Sequence, residues 1–226
     1  MPLLARAQRP ARRGSDAGRR VPSVYDLKPA FQALLRPPLR AMVRAGVRPN
    51  HLTIAALLGS ILAGLAALPA RAQPLWLLVL PAWLFARMAL NAMDGVAARE
   101  FSMSTRLGAV LNETGDVLSD LALYLPLSLL RSGLIWPVAL FCLGALLTEF
   151  CGVLAQALGA RRQYQGPMGK SDRALLVGAM ALVAAFAPRT LVWWAPLLLA
   201  ATALELWTSV SRLGHALRDL AGGRAS

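Results

Sequence analysis

Acidic side chains are scarce in this 226-residue chain: 11 Asp and Glu stand against 24 Lys and Arg, and charged residues make up only 15 % of the total. An ordinary soluble domain carries about 25 % charged residues, so a surface wetted on all sides is excluded. Only two cysteines occur, Cys142 and Cys151, both inside one apolar stretch. They support neither a disulfide framework nor a thiolate zinc site and are expected to act as small core residues. The two histidines, His51 and His215, lie far apart, and neither has a second ligand at metal-binding spacing. What the chain has in plenty is apolar surface: 57 % of residues are hydrophobic and the mean hydropathy is +0.52.

Stretches approaching the ~20 residues of a spanning helix fall at roughly 52–70, 75–93, 107–130, 134–158, 173–188 and 190–210. The expected fold is therefore an all-α integral membrane protein, with six transmembrane helices preceded by an N-terminal amphipathic interfacial helix. A net charge of +13 would suit a nucleic-acid partner, but its distribution argues against one. Eleven of the basic residues precede residue 50. Connections at one end of the spans carry a single arginine each (Arg71, Arg131, Arg189), whereas the other end collects Arg99, Arg106, Arg161, Arg162, Lys170, Arg212, Arg218 and Arg224. This positive-inside bias puts both termini in the cytoplasm, in the manner of a bacterial inner-membrane protein. No cleavable leader is visible in the basic, Gly- and Arg-rich start, so the chain is expected to insert through its own spans.

Residues 1–22 have no apolar period and are expected to form a disordered basic arm drawn to anionic headgroups. In 23–48, Phe31, Leu34, Leu35, Met42 and Val43 recur at helical spacing beside Arg36, Arg40 and Arg44, the pattern of a helix lying in the interface plane. Pro37 and Pro38 are expected to split it into two pieces. Pro49, Asn50 and Thr53 suit a turn and cap leading into the first span of the 49–212 transmembrane domain, and 213–226 remain as a cytoplasmic tail.

The costly residues cluster. Asn91 and Asp94 share a helix face at the end of the second span, and Gly108, Asn112, Asp116 and Asp120 follow at steps of four on the third. Carboxylates grouped in apolar helices mark a functional site by default. Oxygen donors from two facing helices suit a hard cation bound together with substrate phosphates, with Mg²⁺ or Mn²⁺ as candidates. Gly95 and Ala98 allow close approach of a ligand, and Arg99 is placed to clamp a phosphate.

The run from Asn91 to Asp116 resembles the signature of the CDP-alcohol phosphotransferases, D-x(2)-D-G-x(2)-A-R-x(8)-G-x(3)-D-x(3)-D. Its spacing is intact, and Asp94, Gly95, Ala98, Arg99, Gly108 and Asp116 are kept. Asn91 and Asn112 stand where the family has its first and third Asp. The resemblance implies a metal-dependent homodimer that transfers the phosphatidyl group of CDP-diacylglycerol to an alcohol and releases CMP. It implies Asn91, Asp94, Asn112 and Asp116 as metal ligands, with Asp116 also the base. Gly95, Ala98, Arg99 and Gly108 would form the nucleotide cradle. The two Asn residues predict a single or weaker metal site, with Glu113 or Asp120 as candidates to restore the lost charge.

On the same side of the membrane, Gly169-Lys170-Ser171 superficially matches a phosphate loop but lacks the first glycine, where Tyr164 stands, and a preceding strand. Ser171 instead suits an N-cap, and Lys170 and Arg173 are placed to bind a phosphate of the donor or acceptor. Glu149 and Glu205 receive no role. The segment after Asn112 lacks the D-P-x-A-D-K form of glycerophosphate-type relatives and lies nearer the inositol-phosphate type. Two other readings fit the layout: a paralogue that has lost catalysis, and a six-span ion-coupled transporter.

Overall fold

The computed structural model describes residues 24–222, with side chains from residue 31 onward, and the regular structure among them is helical. The basic arm expected over 1–22 lies outside the described residues. Seven α-helices follow in order: α1 (Val24–Arg44), α2 (Pro49–Ala66), α3 (Val79–Glu100), α4 (Arg106–Tyr124), α5 (Ile135–Ala157), α6 (Lys170–Phe186) and α7 (Trp194–Gly222). Short 3-10 turns, each with a proline in its opening positions, cap the end of the bundle that carries Arg71, Arg131 and Arg189.

Of the six helices α2 to α7, four extended segments are long and apolar enough to cross a membrane: Pro49–Arg71, Pro74–Glu100, Ile135–Ala157 and Pro188–Gly222. The remaining two are α4, interrupted by Glu113, Asp116 and Asp120, and α6, which opens on Lys170, Asp172 and Arg173. Those interruptions are the residues of interest.

Three local expectations change. α1 is one helix: Pro37 and Pro38 sit on its exposed side, where water can satisfy the carbonyl groups they leave unpaired, while Leu39 is buried against Leu52, Met93 and Val96. Arg36 also ties α1 to the end of α3 through Glu100, at 2.7 and 3.0 Å. α6 starts at Lys170 with Gly169 in the N-cap position instead of Ser171. The Asp172 carboxylate reaches back to accept the Gly169 N–H at 2.9 Å, so no capping hydroxyl is needed. α7 continues past residue 212 to Gly222, because Arg212 and Ala216 are buried and carry its packed face onward.

Close helix packing depends on glycine. α2 packs along both α3 and α4. Gly59 lies under the Trp83 ring, and the carbonyl of Ala122 on α4 fills the space where a side chain at Gly64 would go. α5 packs along α7, with Gly144 leaving room for the wholly buried Glu205. Leu77, Leu80, Leu123, Phe141, Val177, Ala181, Trp194 and Leu198 fill the centre, with Tyr124 and Phe141 tilted at 5.3 Å between ring centroids. Gly64→Ala is expected to force α2 off α4 and cost about 1–3 kcal/mol, the usual range for overpacking. Gly214→Ala, inside α7 with open space around it, is expected to be stabilising by up to about 1 kcal/mol, the helix propensity of Ala over Gly. Thermal unfolding of both variants in detergent checks the contrast.

Candidate active site

At the end of the bundle opposite the 3-10 turns, an open cleft of about 200 Å³ lies between the start of α2, the end of α3 and the first turns of α4. Asn50 and Thr53 line it from α2, Asp94, Gly95 and Ala98 from α3, and Gly108 and Asn112 from α4. The glycines keep it open. A Cβ on Gly108 would come within 2.7 Å of Asn50 Oδ1 and 2.9 Å of Thr105 Oγ1, and one on Gly95 within 3.3 Å of the Arg99 guanidinium. Thr105 is the N-cap of α4, its Oγ1 accepting the Gly108 N–H at 2.9 Å. The cap thus fixes the helix start and the cleft wall together. Asp94 is buried, and the Thr53 hydroxyl donates to its Oδ2 at 3.1 Å.

Asp116 sits one turn beyond Asn112 on α4, where three helices meet. The Asn91 amide of α3 donates to its Oδ1 at 3.1 Å, and the Lys170 ammonium at the start of α6 donates to its Oδ2. Arg87 of α3 donates to the Asp116 backbone carbonyl at 3.0 Å.

A second layer lies one turn deeper. Asp120 accepts from Arg87 at 2.5 Å on one oxygen and from Arg173 at 3.0 and 3.3 Å on the other. Arg173 is 0 % exposed and also donates to Thr148 at 2.8 Å and Glu149 at 3.0 Å. Arg162 donates to Glu113 and lies 3.6 Å from Glu149.

The structure therefore separates the candidates read from the sequence. Asp94, Gly95, Ala98, Gly108 and Asn112 form the cleft wall, and the exposed Arg99 stands at its mouth. Asn91, Asp116 and Lys170 are bonded to one another beside it. Arg173 is committed to the deeper layer. Glu113 and Asp120, the candidates for replacing lost ligand charge, are spent on Arg162, Arg87 and Arg173. Sequence reasoning missed Arg87, although a lone cation in the second apolar stretch was a signal. Thr53 was assigned to capping, and it contacts Asp94 instead.

Among the described residues no three His, Cys, Asp or Glu side chains gather into one ligand set. The oxygen-bearing side chains of the expected ligand set that lie in or beside the cleft are the carboxylates of Asp94 and Asp116 and the amides of Asn91 and Asn112. This is hard-donor chemistry suited to Mg²⁺ or Mn²⁺. Asn91 keeps its amide oxygen free while its N–H₂ serves Asp116.

A helical bundle of membrane-spanning segments with a polar, carboxylate-bearing cleft at one end defines the class. The family model for CDP-alcohol phosphatidyltransferase matches residues 47–210, and the chain belongs to that family. It is 50 % identical to inner membrane protein YnbA of Escherichia coli K12 over 190 residues, 84 % of this chain and 94 % of that one. It is 30 % identical to phosphatidylinositol phosphate synthase of Mycobacterium marinum over 205 residues, 83 % of this chain and 80 % of that one. The fold matches the crystal structure of Mycobacterium tuberculosis phosphatidylinositol phosphate synthase with CDP-DAG bound, with a TM-score of 0.68 at 23 % identity over 81 % of this chain and 94 % of that one. A second structure of that protein, in complex with manganese and citrate, also gives 0.68 at 23 % identity, covering 81 % of this chain and 88 % of that one.

Asp120→Asn removes the charge that balances two buried guanidinium groups, and breaking a buried pair costs about 3–5 kcal/mol. The expected result is a lower unfolding temperature in detergent, whereas Asn112→Ala, on the open cleft wall, leaves that temperature nearly unchanged.

Proposed function

We propose that this chain is a phospholipid-synthesising transferase that moves the phosphatidyl group of CDP-diacylglycerol onto the hydroxyl of a small alcohol, releasing CMP. The observation that carries this reading is the cleft itself, with Asp94 of α3 and Asn112 of α4 in walls otherwise made of glycine, alanine and polar side chains, and with Asp116 one turn beyond Asn112, held by Asn91 and Lys170. A transporter would need polar groups running through the membrane. Here the deeper charges are paired off among themselves, and the open cleft stops at one end.

The diphosphate would enter the cleft over Gly95, Ala98 and Gly108, where the lack of side chains lets phosphate oxygens approach backbone, with Arg99 at the mouth as an opposing cation. Asp94 and Asp116, with the amide oxygens of Asn91 and Asn112, would hold one Mg²⁺ or Mn²⁺, which when bound supplies Lewis-acid stabilisation of the phosphate charge and of the CMP leaving group. Asp116 accepts the proton of the acceptor hydroxyl as its oxygen bonds to the phosphorus next to the diacylglycerol. The bond from that phosphorus to the CMP oxygen breaks, and CMP carries away the electron pair. Asn91 and Lys170 orient the Asp116 carboxylate, and Thr53 orients that of Asp94.

We further infer that α4 and α6 also cross the bilayer, making six spans, because their charged turns are neutralised inside the bundle and their lipid-facing sides carry Leu107, Val110, Leu118, Leu175, Leu182 and Val183. α1 then lies at the cytoplasmic surface with Arg40 and Arg44 outward.

Purified protein with radiolabelled CDP-diacylglycerol, Mg²⁺ and a mixture of polyols and polyol phosphates is expected to release CMP and form a new lipid. Chelation by EDTA should stop the reaction. Asp116→Asn is expected to lower kcat by about 10²–10⁴, the span attributed to a general base. CMP release at the wild-type rate from Asp116→Asn would remove the proposed mechanism.

A further inference from the structure

We propose that the alcohol received at Asp116 carries no phosphate or other negative charge. This rests on the transferase reading above and names the class of acceptor. Outside the nucleotide cleft, the partly exposed charged side chains on this side of Asp116 include Glu113, one turn earlier on the same face of α4, Arg162 from the 158–169 connection, which pairs with Glu113, and Lys170. Each cation there is already matched. Arg162 donates to Glu113, lies 3.6 Å from Glu149 and stacks 5.2 Å above the Tyr164 ring. Lys170 donates to Asp116 itself.

Behind them Arg173 is shared between Asp120 and Glu149, and Arg87 between Asp120 and Asp116. Arg212 is buried, with its guanidinium on the carbonyl oxygens of Gln165 and Thr148. A phosphate is recognised by charge-assisted donors that are free to turn toward it. Recruiting Arg162 would strip Glu113 and Glu149 of a partner and leave both carboxylates facing a dianion, a like-charge arrangement that selects against the ligand. Recruiting Lys170 would pull the ammonium off Asp116. Arg161 makes no ion pair among the described residues, but it is exposed, and bulk water and salt screen it.

An uncharged polyol meets none of these conflicts. Glu113, whose side chain is 32 % exposed, and Glu149 offer acceptor oxygens to its hydroxyl groups, and nothing need be neutralised. The charge balance thus points away from the phosphorylated acceptor that the sequence pattern near Asp120 favoured.

The test gives purified full-length protein, with CDP-diacylglycerol and Mg²⁺, either glycerol or myo-inositol, and in parallel glycerol 3-phosphate or myo-inositol 1-phosphate. The expected kcat/KM for a neutral polyol exceeds that of its phosphate ester by at least about tenfold. Glu113→Gln is expected to narrow the gap, chiefly by lowering KM for the ester. A wild-type preference for the phosphate ester overturns the inference and leaves the transferase standing. Label moving to neither class also overturns it, and stabilisation of the same sample by CDP-diacylglycerol in a thermal melt then tells whether the transferase reading falls too.

Discussion

The double pairing of Asp120 with Arg87 and Arg173 is the constraint on which the rest of the site depends. In the interior of a membrane bundle none of these three charges is tolerable alone, and removing one partner of such a pair costs about 3–5 kcal/mol. The pairing therefore fixes how α4 is rotated and how deep it sits between α3 and α6. Arg173 extends the tie to α5 through Thr148 and Glu149. With Asp120 held, the helical step of four carries Asp116 toward Asn91 and Lys170, and a further step carries Asn112 to the cleft wall. Charges that do no chemistry thus aim the ones that would.

α2 supplies the complementary restraint by shape. Gly59 admits the Trp83 ring, whose indole N–H donates to the Ser60 hydroxyl at 3.0 Å, and Gly64 admits the α4 backbone at Ala122. The Thr53 methyl lies 3.4 Å from where a Cβ on Gly115 would stand. Two helices are thereby held against different sides of a third, and the cleft opens where α2 begins at Pro49, since there is no earlier turn to fill it. Thr53, at the upper limit of this packing, is the residue that can both line the cleft and touch Asp94.

Much of this was legible in the chain because the period of a helix is regular. Asn91 and Asp94 on one face, and Gly108, Asn112, Asp116 and Asp120 on another, follow from spacing, as does the gathering of basic residues at one end. The pairing between helices was not legible. Glu113 and Asp120 were indistinguishable from ligands by spacing, and only the approach of Arg162, Arg87 and Arg173 from distant segments shows them to be spent. Arg173 fell three residues after Lys170, close enough in sequence to share its assignment. Yet one turn of α6 moves it from the partly exposed layer into full burial. Pro37 and Pro38 misled for a different reason, since the cost of a proline depends on whether water can reach the carbonyl it orphans.

The two amide substitutions in the motif belong to the same charge balance. A carboxylate at 91 would sit against Asp116 with no proton to share, adding repulsion that only extra positive charge could relieve. The amide at Asn91 instead donates to Asp116, turning a repulsive contact into a hydrogen bond. With Lys170 on the other oxygen, each oxygen of Asp116 already accepts one hydrogen bond from the protein itself. On the proposed reading the negative charge left for a cation then comes mainly from Asp94, whose Oδ2 accepts from the Thr53 hydroxyl. Two carboxylates with an ammonium beside one of them suit, on the same reading, a single divalent ion held alongside an anionic substrate. The ammonium of Lys170 and the donor amide of Asn91 would then carry part of the load at Asp116 that a second ion would otherwise bear.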